Sequence, residues 1–363
     1  MSSSESPASS ATPAPTSPPP PAVGEHDDKD QIVQLDGHLI RGAAWTGTVK
    51  WLSQPFAWIS TLLVARMLSP SDYGILGMAT FYLGFVKMVS EFGIGAAIVS
   101  IRDVNDEQIA QLNGLALIVG VLTFIASCLI AWPLGMFFRT PQLPAVVIAL
   151  SAAYSLAALQ SVPLAVLRRD LRFRRVALID AMQALVTASS AVLFAWLGFR
   201  YWTLVLCTVT GVITMTAAVL VGAPRTYRWP RRRTLGRILS FSRDMLVTRM
   251  AWYFGQDADF FVAGRVLGQA PLGFYTFGWT LANVAVEKIT AMVLGVTPAV
   301  LARVQHDHAA LRRYVLNISE ALALVTFPVT VGLALVADDV VHLALGDKWA
   351  DTATPLRLLA ISR

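Results

Sequence analysis

Eight charged residues stand where charge is costly. Lys50, Lys87, Glu91, Arg249, Asp257, Asp259, Glu287 and Lys288 all fall within long apolar runs. A Lys, Arg or Asp at the centre of a helix in hydrocarbon costs roughly 2.5–3.5 kcal/mol even on a lenient insertion scale. All but Asp259 lie well inside their runs, and facing lipid those seven would cost on the order of 20 kcal/mol, more than a typical net stability. They must face one another or a wet cavity. Pairing is the simpler outcome: Lys87 and Glu91 are spaced i, i+4 and can neutralise each other on one helix face. Glu91 is also available to Lys50, and Glu287 to Arg249. Glu287 and Lys288 are adjacent and point in different directions, so each needs its own partner. Asp257 and Asp259 come near the end of their run, where water can solvate them or a coupling cation can reach them.

The elements that position these charges follow from composition. The chain of 363 residues is 55% hydrophobic and 14% charged, against about 25% charged for soluble domains. Its mean hydropathy is +0.58. A hydrocarbon core of about 30 Å takes about 20 apolar residues per helix. Ten spans are expected, at about 39–65, 72–99, 109–133, 142–166, 176–198, 202–222, 239–264, 271–300, 314–337 and 350–363. The fold class is therefore an all-α polytopic membrane protein. Loops are short, the longest outer one being about 338–349. Trp132, Trp196, Trp202, Trp229 and Trp349 fall near span ends, as an interfacial aromatic belt requires. Ser69-Pro70-Ser71-Asp72 reads as a cap between the first two spans. Pro55 and Pro298 would kink spans one and eight. Residues 1–36 are rich in Ser, Ala and Pro with an acidic end, and read as a disordered cytoplasmic tail. No cleavable leader is expected, and the first span is expected to direct insertion.

Basic residues orient the bundle. With the N-terminus in the cytoplasm, the inner loops hold fifteen arginines, dominated by Arg168–Arg175 and Arg225–Arg237, and the outer loops hold five basic residues. That asymmetry is a positive-inside signal. It also accounts for PRTYRWPRRRTLGR (224–237), whose basic and aromatic residues would otherwise suggest nucleic acid; anionic membrane lipids are the expected contact. No nucleic-acid partner is expected. His306-Asp307-His308 lies in a polar inner loop without further ligands, and Cys128 and Cys207 are isolated in apolar runs, so neither metal nor cofactor is expected.

The chain also matches itself. A shift of 199 residues lays LLVARMLSPSDYGILGM (62–78) over FVAGRVLGQAPLGFYTF (261–277), with Arg66 on Arg265, Leu68 on Leu267, Gly74 on Gly273 and Ala65 on Gly264. The shift carries the first span onto the seventh, as two parallel six-helix units would. Lys50 falls on Arg249, each about 11 residues or roughly 16 Å into its span, close to the bilayer midplane.

Several stretches in order carry a family resemblance: HLIRGAAWTGTVKW, LLVARMLSPSDYGILGM, FGIGAAIVSIRDVNDEQ, LRRDLRFRRVALID, DADFFVAGRVLGQAPLGFYTFGW, LARVQHDHAALRRYVL and LALGDKWADTATPLRLLAI. From about residue 37 to the end the chain resembles the polysaccharide transporter branch of the multidrug/oligosaccharidyl-lipid/polysaccharide (MOP) exporter superfamily, the O-antigen and exopolysaccharide flippases. The resemblance implies a two-lobed MOP-type bundle of twelve to fourteen spans, of which about ten are present, the second lobe being incomplete. It divides the chain into an N-lobe at 37–223, a basic cytoplasmic linker at 224–238 and a partial C-lobe at 239–363. It implies no enzyme, but translocation of undecaprenyl-diphosphate-linked oligosaccharide across the bacterial inner membrane by alternating access, in company with polysaccharide assembly machinery. Lys50, Lys87, Arg249 and Lys288 would then bind the diphosphate, Lys50 and Arg249 from opposite walls. Glu91, Asp257, Asp259 and Glu287 would be cavity or coupling acids. The alternatives are a cation-coupled drug antiporter of the same superfamily and a truncated, non-transporting remnant. A membrane polymerase or ligase would need a larger outer loop bearing Arg, His or Asp than 338–349 offers.

Overall fold

The computed structural model describes residues 54–91, 94–100, 105–221, 226–294 and 308–362. Among the described residues there is no strand. The helices are α1 (54–67), α2 (Pro70–Glu91), α3 (Ile94–Ser100), α4 (Asp106–Phe137), α5 (Leu143–Arg169), α6 (Phe173–Trp196), α7 (Trp202–Leu220), α8 (Arg232–Leu267) and α9 (Gln269–Leu294). After them come α10 (His308–Leu335), α11 (Ala337–Leu345), a 3-10 turn (Asp347–Thr352) and α12 (Ala353–Ser362). Among the described residues six helices are long and apolar enough to cross a membrane: α2, α4, α5, α6, α7 and α10. The chain is a multi-pass membrane protein. The expected tail at 1–36, Lys50 and His306 lie outside the described residues.

Local chemistry sets the helix ends. The Asp72 carboxylate accepts from the Ser69 amide at 2.9 Å and the Ser69 hydroxyl at 2.6 Å, fixing the start of α2. Asn105 and Gln108 form a reciprocal capping box at the start of α4. Boundaries differ from the sequence expectation in two places. Helix α8 begins at Arg232, inside the expected linker, so that of its described residues only 226–231 lie outside a helix. Those residues strap along α4: the Arg228 amide donates to Ala110 O at 2.9 Å, the Arg231 amide to Gln111 Oε1 at 3.0 Å, and Asn113 Nδ2 to Thr226 O at 3.2 Å.

The second difference is 338–349, expected as a loop and found as helix α11 and the start of the 3-10 turn. Helix C-termini leave carbonyls without intrahelical donors, and here two such ends satisfy each other. Trp349 Nε1 donates to Ala65 O at 2.9 Å and Lys348 Nζ to Leu68 O at 2.7 Å and to Arg66 O, all at the end of α1. Arg66 donates in return to Ala344 O at 2.8 Å and to Leu343 O, at the end of α11. Trp349 is fully buried, with Tyr73 and Phe277 against its ring at 5.3 and 5.0 Å. Desolvation lowers the Lys348 pKa, against an opposing pull from Asp72.

Helices α2 and α9 pack in the register of the 199-residue shift. A Cβ on Gly74 would meet Gln269 O, and a Cβ on Gly273 would meet Pro70 O, both far inside the 3.0 Å below which Cβ contacts essentially never occur. Pro70 and Gln269 are themselves partners under that shift. Gly77 likewise faces Thr276, its own counterpart. Each glycine thus touches the residue whose counterpart touches its own, the exchange that a pseudo-two-fold contact produces.

Candidate functional site

A cavity of about 1190 Å³ opens among α2, α3, α5, α6, α7 and α8. Helix α5 turns one face to it, Ala157, Gln160, Ser161, Leu164 and Arg168 recurring at helical spacing. Helix α6 contributes Phe173, Val176, Asp180, Gln183 and Thr187 in the same way, and α7 contributes Thr208, Val212 and Met215. Thr216 Oγ1 donates to Gln160 Oε1 at 3.2 Å across the α5–α7 seam. Leu171, which also lines the cavity, holds the α5–α6 turn at a φ of 56°.

Three basic side chains, Lys87, Arg168 and Arg249, and two acids, Glu91 and Asp180, line this volume. Arg249 Nη1 lies 3.8 Å from Glu91 Oε2. Both side chains are nearly half exposed, 49% and 44%, and an ion pair that wet contributes about 0.2–1 kcal/mol. Its value for stability is small, so it is free to be exchanged. The i, i+4 bridge between Lys87 and Glu91 does not form, because Glu91 turns to α8 instead. Among the described residues neither Lys87 nor Arg168 has a carboxylate within ion-pair distance.

The cations cluster towards one end of the bundle. At 1.5 Å per residue, about 26 Å of axis separates Lys87 from Pro70, and about 27 Å separates Arg249 from Leu267. That is the level of the arginine-rich α5–α6 turn, whose Arg168 lines the same cavity. The arrangement offers fixed positive charge beside amide and hydroxyl donors, suited to holding a phosphorylated headgroup.

Of the sequence-derived candidates, the structure brings together Lys87, Glu91 and Arg249. Asp259 does not line the cavity: it accepts from the Phe260 amide at 2.9 Å and from the Tyr275 hydroxyl. The side chains of Asp257, Glu287 and Lys288 lie outside the described residues, as does Lys50. Sequence reasoning missed Arg168, counted only as an orientation marker, and the polar face Asp180, Gln183 and Thr187. Asp180 in VALIDAMQAL carried the signal, an acid inside an apolar run.

Known proteins share this architecture. The family described as "Polysaccharide biosynthesis protein" matches residues 63–354. The teichuronic acid biosynthesis protein TuaB of Bacillus subtilis (strain 168) is 24% identical over 89% of this chain and 68% of its own. The lipid II flippase MurJ, in an inward closed conformation, superposes with a TM-score of 0.69 at 12% identity, over 87% of this chain and 72% of that one. An inward-facing multidrug resistance MATE transporter of the MOP superfamily gives 0.66 at 15% identity, over 85% and 78%. The fold is therefore the MOP-type helical bundle, and the chain belongs to the polysaccharide biosynthesis protein family.

Proposed function

We propose that this protein is a flippase. It carries undecaprenyl-diphosphate-linked oligosaccharide from the cytoplasmic to the outer leaflet of the bacterial inner membrane, with its N-terminus inside. The observation that carries this reading is the cavity of about 1190 Å³ with Lys87, Arg168 and Arg249 in its wall. A sugar chain cannot cross hydrocarbon unless its hydroxyls find replacement partners, and Gln160, Ser161, Gln183, Thr187 and Thr208 supply them. The diphosphate binds at the cations, where it competes with Glu91 for Arg249. Lys50 and Lys288 are further candidates for the same anion, and Asp257 and Glu287 for coupling. The two lobes, 37–223 and 239–363, then rock about the α2–α9 contact. The relatives' roles in teichuronic acid biosynthesis and lipid II flipping agree with this class of substrate. No step in it makes or breaks a covalent bond.

Deleting the gene tests the proposal. Lipid-linked oligosaccharide is expected to accumulate on the cytoplasmic leaflet while its synthesis continues, and surface polysaccharide to fall. Intact surface polysaccharide with new sensitivity to cationic drugs would replace the flippase with a drug antiporter.

A further inference from the structure

Beside the charged cavity lies a second one of about 460 Å³, walled mainly by one face each of α1 and α6 and closed by Tyr73 of α2 and Leu204 and Cys207 of α7. Helix α1 offers Ala57, Thr61 and Val64, and α6 offers Ala184, Ala188 and Ala191, small or apolar side chains at helical spacing. The walls are tied where the Ser60 hydroxyl donates to Ala188 O at 2.8 Å. The two cavities are continuous in their lining, because Asp180, Gln183 and Thr187 belong to both.

Depth along α6 orders the two. At 1.5 Å per residue, Asp180 lies about 24 Å from Trp196 at the helix end, and Ala191 only about 8 Å. That end is level with the start of α2, since Arg200 beyond it lies 4.0 Å from Asp72. Lys87 is about 26 Å from the same level. The cations therefore mark one end of the bundle, and the apolar slot runs from mid-depth towards the other. An amphiphile with an anionic head at Lys87, Arg168 and Arg249 would point its tail along the shared face and into the slot. Charge complementarity at one end and apolar small-residue walls at the other commit the occupant to a phosphorylated lipid.

We propose that the α1–α6 slot holds the head-proximal part of the polyprenyl tail, so that the protein grips both ends of its carrier rather than leaving the tail in the bilayer. This rests on the cations binding a lipid diphosphate, as proposed above. Holding the first prenyl units fixes the headgroup's approach to the cations and restricts substrates to prenyl carriers whatever their sugar.

The test compares farnesyl diphosphate with inorganic pyrophosphate on the purified full chain in detergent, by thermophoresis. Wild-type protein is expected to bind farnesyl diphosphate at least about tenfold more tightly. Ala188→Phe fills the slot and is expected to bring the two within about twofold while leaving pyrophosphate binding unchanged. A second readout serves if that variant does not fold. Thr61→Cys, in a Cys128→Ala, Cys207→Ala background that keeps the slot apolar, is expected to alkylate more slowly with farnesyl diphosphate bound, and at an unchanged rate with pyrophosphate. A tenfold preference surviving in Ala188→Phe, or unprotected Cys at 61 with farnesyl diphosphate bound, overturns the slot and leaves the flippase reading intact. If wild-type protein binds neither diphosphate, the cation site itself is wrong and the slot falls with it.

Discussion

Replacing Gly273 with alanine sets two effects of known size against each other. Alanine in a helix interior gains about 0.5–1 kcal/mol over glycine. Against that, the new Cβ meets Pro70 O far inside 3.0 Å. The obstacle is a backbone carbonyl, so no side chain can rotate out of the way, and α2 and α9 must part by at least about 1 Å. Overpacking of this kind costs about 1–3 kcal/mol and occasionally more. The loss outweighs the gain, and a net destabilisation of about 1–2 kcal/mol is expected. Gly255 supplies the control: it lies on α8 with nothing within 4 Å of its added Cβ, so Gly255→Ala keeps the propensity gain alone. Gly74→Ala opposes Gln269 O across the same contact, and once the helices have separated the second methyl fits the gap. The double variant is therefore expected to lose less than the two single losses added, by about 0.5 kcal/mol or more. Thermal unfolding of the purified full chain, followed by size-exclusion fluorescence, ranks the four proteins. If Gly273→Ala melts with Gly255→Ala, or the double loss is fully additive, the exchanged glycine contact does not exist as described.

Other consequences can be checked in the same preparations. Trp349→Phe keeps the ring contacts but leaves Ala65 O without its indole donor, which is expected to cost about 1–3 kcal/mol. Trp349→Ala removes a fully buried ring at about 3–5 kcal/mol, and Trp349→Phe melting with wild type would refute the capping role. Arg249→Gln is expected to weaken pyrophosphate binding about 10- to 100-fold, the loss of one charge-assisted hydrogen bond. Glu91→Gln alone is expected to tighten it by freeing Arg249. Should Arg249→Gln with Glu91→Gln bind as well as wild type, the pair is a bridge and nothing more. Single cysteines at Arg172 and Arg232, in a cysteine-free background, are expected to resist impermeant reagents in intact cells, and labelling at both would invert the orientation.

Much of the site was legible because burying charge is costly enough to leave a trace in one sequence. Lys87, Glu91 and Arg249 stood out for that reason, and the structure gathers them. Which acid meets which base was not legible. Lys87 and Glu91 had the right local spacing, but the outcome depended on the face that α8 presents far along the chain. Arg168 was hidden differently, because a base at the end of an apolar run reads equally well as a topology marker. Asp180 fell close to an expected span start, where its burial could not be judged. Segment 338–349 was misread because Asp338, Asp339, His342 and Asp347 are residues that solvated loops use. What folds it onto the bundle is the set of unpaired carbonyls at the end of α1, and backbone atoms leave no mark in composition.

The repeat divides the same way between backbone and chemistry. Gly74 and Gly273 match under the shift, and each is opposed by backbone at the matching position, so the same steric demand acts twice. The cavity charges carry no such demand. The shift that pairs the glycines puts Lys87 on Val286 and Glu91 on Thr290, so these α2 charges have no charged mate on α9. Arg249 bonds across to Glu91 at 3.8 Å, an acid of the first repeat without an acidic counterpart in the second. Symmetry therefore governs how the helices close, while the α2 charges depart from it and Arg249 keeps a basic counterpart in Lys50. An anion at Lys87, Arg168 and Arg249 would meet two of its three cations on α2 and α5, and the third, on α8, only once Glu91 releases it.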